Sequence, residues 1–116
     1  MTKQYNVQIC AAINGINLVN GEHHFVSLEK DNLVLPFVAL DDLSIEYILC
    51  ELCKQYIDLD SSWLCFDIIG IYQEEDTLLI IYRCTIPLDT KLINSYWMPL
   101  WKCLQNPITK LITYKL

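Results

Sequence analysis

A chain of 116 residues that is 53% hydrophobic can bury a core without disulfides or metals, and it is too apolar for disorder. A net charge of −6 with one arginine, Arg83, excludes a nucleic-acid partner, because affinity for a phosphate backbone comes from Lys and Arg. One domain over residues 1–116 is expected, with no apolar run near the ~20 residues that span a bilayer.

Met1 to Asn6 leads into an alternating segment rather than a leader, so a cytoplasmic protein with no membrane partner is expected. Residues 5–13 alternate, with Tyr5, Val7, Ile9 and Ala11 on one face of a strand. Asn14-Gly15 and Asn20-Gly21 are turn signals. His24 to Glu29 reads as a second strand. His23 and His24 are adjacent and point to opposite faces of a strand, so they read as edge or loop residues rather than metal ligands. Leu33 to Leu35 is short, and Pro36 stops it.

The strongest helix signal lies at about 44–56. Ile45, Ile48, Leu49, Leu52 and Tyr56 recur at intervals of three and four, which makes one apolar face. Ser44 is placed as the N-cap, and Asp41, Asp42 and Glu46 suit the positive end of the helix dipole. The opposite face carries Glu51, Lys54 and Gln55.

Residues 58–62 are polar and end the helix. Residues 63–72 and 77–86 form two apolar strands joined by the acidic turn Gln73-Glu74-Glu75-Asp76, an antiparallel hairpin. Both are apolar at nearly every position, which predicts burial on both faces. Gly70 marks a bulge or a close backbone approach. Near the C-terminus, Asn106-Pro107 fits a helix start. Residues 107–114 carry Ile108, Leu111 and Ile112 on one helical face, yet they also alternate as a strand.

Six cysteines raise the question of metal. Cys10, Cys65, Cys84 and Cys103 sit singly in apolar stretches, where a thiol behaves as a small hydrophobe. Cys50-x-x-Cys53 lies inside the helix with no second pair. No cofactor is expected.

Leu35-Pro36, then Asp41-Asp42, then a helix with Cys50-Glu51-Leu52, and later Trp97-Met98-Pro99-Leu100 together resemble a degenerate Nudix domain. The resemblance implies an α+β fold: a Nudix-like α/β/α sandwich with a mixed β-sheet and a central box helix at about 44–56. The interval from Asp42 to Glu51 equals that between the family's two glutamates. Phe37-Val38 replaces its glycine pair, and that bulk suggests a filled cleft. Cys50 replaces its arginine, Lys54 and Gln55 replace its paired glutamates, and Ile57 replaces its closing glycine. In the family those carboxylates hold divalent cations, which want several oxygen ligands. Here Lys54 places a positive charge where a cation should bind.

The resemblance therefore implies a catalytically inactive Nudix fold acting through a protein partner, as a homo-oligomer or as a structural subunit. The alternatives are a degenerate nucleotide-binding domain and a metal-dependent hydrolase with an altered site. Glu51 is a residual metal-ligand candidate, or simply the partner of Lys54 three residues on. The acidic loop Glu74, Glu75 and Asp76 reaches a substrate site or is a solvated hairpin tip. Trp97, Met98 and Trp101 are partner-binding candidates, since aromatics and Met are enriched in interfaces, with one tryptophan expected in the core. One arginine beside abundant Ile, Asn and Tyr is compatible with an AT-rich coding genome, a viral one included.

Overall fold

The computed structural model describes residues 5–103 and 106–114. Its strands are β1 (Asn6–Ile16), β2 (His23–Ser27), β3 (Phe37–Ala39), β4 (Asp67–Glu74), β5 (Thr77–Pro87) and β6 (Tyr96–Pro99). Its α-helices are α1 (Ile45–Lys54) and α2 (Thr109–Tyr114), and single 3₁₀ turns lie at Ser61–Trp63 and Leu100–Lys102.

The strands form one mixed sheet in the order β4-β5-β1-β2-β6. β1 and β5 run parallel over their whole length, from Asn6 opposite Thr77 to Ile16 opposite Pro87. The other edge of β1 is shared between β3, along Gln8–Cys10, and β2, along Asn14–Ile16, both antiparallel. Alternation along β1 divides the core into two layers. Ile9, Ala11 and Ile13 pack with Ile48, Leu49, Leu52 and Cys53 of α1. Cys10 and Ala12 pack on the other face with Phe25, Leu33, Leu35, Ile81, Met98 and, from α2, Ile112. This is the expected α/β/α arrangement.

α1 forms where its apolar period and cap predict. The Ser44 hydroxyl accepts from the Tyr47 amide at 3.2 Å, and the helix stops at Lys54, two residues short of the expected end. Leu49 is 1% exposed, and burying such a side chain contributes about 1.5–3 kcal/mol. The C-terminal ambiguity resolves as helix. The Asn106 side-chain oxygen accepts from Ile108 N–H at 2.9 Å, while its amide donates to the Leu33 carbonyl at 3.1 Å. The turn is capped and tied to the 33–35 segment at once.

Four expectations change. Asn14-Gly15 is strand rather than turn, because β5 pairs with β1 through Gly15 opposite Ile86; the chain turns at Asn17–Gly21, where Gly21 has φ +72°. β3 begins after Pro36 instead of ending there. β2, carrying both histidines, lies inside the sheet, and His23 Nδ1 sits 3.2 Å from Asn14 Oδ1. β4 starts at Asp67 and is buried on one face only. Ile68 and Ile71 are 52% and 59% exposed, since α1 covers β1 and leaves the outermost strand bare. The expected lead-in at residues 1–4 lies outside the described residues.

Both remaining glycine signals have a steric cause. The register of β4 shifts between Ile68 and Gly70, a bulge, and a Cβ on Gly70 would meet Leu111 of α2 at 3.2 Å. At Gly15 a Cβ would lie 2.8 Å from Cη2 and 2.9 Å from Cζ3 of Trp97. Gly15→Ala is therefore expected to cost about 1–3 kcal/mol by overpacking. The loss should shrink in a Trp97→Phe background, measured by a denaturation double-mutant cycle.

Burial pushes the Cys10 and Cys103 thiols from 9.0 up to about 11. The folded chain thus binds these protons more tightly than the unfolded chain. The stability they contribute is complete below the unfolded value of 9.0 and is lost as pH rises through about 11. Thermal melts should therefore fall steeply over that alkaline window, and less steeply in a Cys10→Ala, Cys103→Ala variant.

Candidate functional site

The solvent face of α1 holds Glu51 and Lys54, both exposed, with Lys54 Nζ 3.2 Å from Glu51 Oε1. Hydrogen bonding and attraction to that carboxylate raise the Lys54 pKa. Asp42 is exposed on the loop before the helix, and its amide donates to Asp41 Oδ1 at 2.6 Å. Among the described residues no group of three His, Cys, Asp or Glu could hold a metal ion. A hard cation wants several oxygen ligands, and a carboxylate already paired with an ammonium offers too little; the α1 face does not fit one.

The Cys50-x-x-Cys53 spacing has a different outcome. Cys53 faces the core beside Cys84 of β5, and that neighbouring thiol together with burial raises its pKa. Nothing local in the sequence pairs Cys53 with Cys84; they meet only in the core that α1 covers.

On the opposite face of the sheet lies an open cleft of about 560 Å³. Its walls come from alternate residues of three strands: Gln8 and Cys10 of β1, Thr77 and Leu79 of β5, and Tyr72 and Glu74 of β4. Phe37, the 33–35 segment and the 106–108 turn close the far side, and Glu75 stands at the rim. Ser27 shapes that far side. Fully buried, its hydroxyl lies 2.7 Å from the Glu29 carbonyl and 2.8 Å from that of Asn32, and it accepts from Val34 N–H at 3.0 Å.

The cleft is open despite Phe37 and Val38. Phe37 is 48% exposed and forms a wall, while Val38 points to the α1 core. Adjacent residues on a strand face opposite ways, so the two bulky side chains cannot both fill one space. Glu74 and Glu75 line the cleft and Asp76 does not; Glu51 is on the helix across the sheet. The acidic loop and the helix carboxylate are thus not brought together. Gln8, Tyr72 and Leu33 were not singled out by the sequence, although the period-2 pattern of β1 and β4 places Gln8, Cys10 and Tyr72 on the same side.

Of the aromatic cluster, Met98 is buried at 2% and Trp97 packs across the sheet onto Gly15. Trp101 is 63% exposed, with Lys102 Nζ 5.6 Å from its ring centroid. β6 ends at Pro99 and a 3₁₀ turn follows, so Trp97 sits in the sheet and Trp101 in the turn beyond it.

A small α/β/α sandwich with an open cleft on the face away from its capped helix is the class that this architecture defines. No family model matches the sequence, and no curated protein matches it. Among solved structures, a MutT/nudix family protein of Listeria innocua has a TM-score of 0.73 at 10% identity, covering 98% of this chain and 95% of that one. The NUDIX domain of Shewanella oneidensis NrtR, complexed with ADP ribose, has a TM-score of 0.68 at 12% identity, covering 98% and 90%. The C-terminal domain of mouse MUTYH, complexed with human PCNA, has a TM-score of 0.60 at 13% identity, covering 89% and 78%. This chain spans only 45% of the length of a MutT/nudix family protein of Enterococcus faecalis that it also matches. The chain has a Nudix-like fold.

Neither Mg²⁺ nor Mn²⁺ at millimolar concentration should raise the melting temperature, because a ligand stabilises only through a site it occupies in the folded state. Glu51→Gln, at an exposed pair, should leave the melting temperature unchanged. Differential scanning fluorimetry checks both.

Proposed function

We propose that this protein is a Nudix-fold binding protein that works through a protein partner and does not cleave phosphate anhydrides. One observation carries the reading: the surviving box carboxylate, Glu51, is paired with Lys54 at 3.2 Å. The residue that replaces a metal-binding glutamate is itself a cation, and it neutralises the charge that would attract Mg²⁺.

The surface supports the partner half of the proposal. β4 ends the sheet, so one row of its backbone groups faces no strand among the described residues. Ile68 and Ile71 lie beside that row on the α1 face, more than half exposed. An open edge flanked by apolar side chains is a template for strand addition. Mouse MUTYH, met in complex with PCNA, shows one protein of this fold holding a protein partner. Six free cysteines fit a reducing, cytoplasmic compartment.

Incubation with nucleoside diphosphate-linked compounds and Mg²⁺ or Mn²⁺ should release no phosphate, from wild type or from Glu51→Gln. Release by wild type that Glu51→Gln abolishes would make Glu51 a metal ligand and end the proposal. Affinity capture from the native lysate should recover a stoichiometric partner that Ile71→Lys loses. A chain that stays monomeric and captures nothing contradicts the partner reading.

A further inference from the structure

The cleft opposite α1 has a charge pattern that does not suit the anionic ligands its fold brings to mind. Among the described residues its lining contains Glu74 and Glu75 and neither lysine nor arginine. Its floor is the buried Cys10 thiol, which carries no charge at physiological pH. Gln8, Thr77 and Asn106 are polar but neutral, and the remainder is apolar or aromatic, with Leu33, Leu35, Leu79 and Ile108 beside the rings of Phe37 and Tyr72. The Asn106 side chain donates one amide N–H to the Leu33 carbonyl and accepts from Ile108 N–H through its oxygen; its remaining N–H is neutral and supplies no countercharge for a phosphate.

A polyanion entering here would meet two carboxylates and, among the described residues, no countercharge. A cation would meet two carboxylates, and aromatic faces attract cations through the ring quadrupole. A volume of about 560 Å³ falls in the range of small-molecule sites, roughly 300–1,000 Å³. The hairpin turn fixes the rim. Glu75 holds a left-handed φ of +53°, and the Glu75 carbonyl accepts from the Gln73 side-chain amide at 3.3 Å.

We propose that the cleft between β1, β4, β5 and the 106–108 turn binds a small organic cation, an ammonium or guanidinium group on an apolar body. The body lies against Phe37, Tyr72 and Leu79, and the charged head lies between Glu74 and Glu75. This site is distinct from the β4 edge of the partner reading and from the α1 face.

Calorimetric titration of the full chain tests it with four probes: phenethylammonium chloride, its neutral counterpart 2-phenylethanol, ADP with Mg²⁺, and a lysine-rich hexapeptide. The ammonium should bind at least about tenfold more tightly than the alcohol, and added salt should weaken it. The E74Q/E75Q variant should erase the preference while keeping the wild-type circular dichroism spectrum, since both residues are exposed. Equal binding of ammonium and alcohol would overturn the proposal, as would no binding by any probe at millimolar concentration. Tighter binding of ADP with Mg²⁺, lost in E74Q/E75Q, would overturn it by making the glutamates a route to a metal. Tighter binding of the peptide would overturn it in favour of a partner's basic side chains.

Discussion

The pairing of β1 with β5 is the constraint on which the rest of the structure depends. Eleven residues of each strand run side by side in parallel, and parallel neighbours need covering on both faces. One face takes α1, the other takes α2 and the 33–35 segment. Because the pairing runs through Asn14-Gly15, the first turn is pushed out to Asn17–Gly21. Trp97 then finds a glycine beneath its ring.

That two-faced arrangement decides the chemistry. Everything on α1 belongs to one side of the sheet, and the cleft belongs to the other. Carboxylates that look interchangeable in the sequence are therefore sorted. Glu51 is tied to Lys54 across one helical turn, while Glu74 and Glu75 edge a cleft with no basic side chain among its described lining residues. The core that holds the fold is built from apolar residues of β1, β5 and α1, and the exposed Glu51 takes no part in it.

Much of the fold was legible because it rests on local rules. The period of Ile45, Ile48, Leu49 and Leu52 needs one apolar face, and the Ser44 hydroxyl needs only the next turn of backbone. Asn106-Pro107 starts its turn by the same kind of short-range bonding. Gly70 was readable as a bulge or a close contact, and it is both. Leu35-Pro36 and Trp97-Met98-Pro99-Leu100 carried the Nudix resemblance at an identity to solved structures of only 10–13%. The strand length of β1, the bare face of β4 and the position of β2 inside the sheet were not readable, since each depends on which strand lies next to which.

The sequence by itself determined the α1 helix with its Ser44 cap, the strand periodicity and the Asn106-Pro107 turn start, because these are properties of residues within a few positions of one another. Only the tertiary structure decided that Cys53 meets Cys84, that Phe37 walls a cleft while Val38 leaves it, and that Tyr72, Glu74 and Gln8 share that cleft. Each joins residues distant in the chain, and strand order and register, set by burying both faces of the β1–β5 pair, are what bring them together.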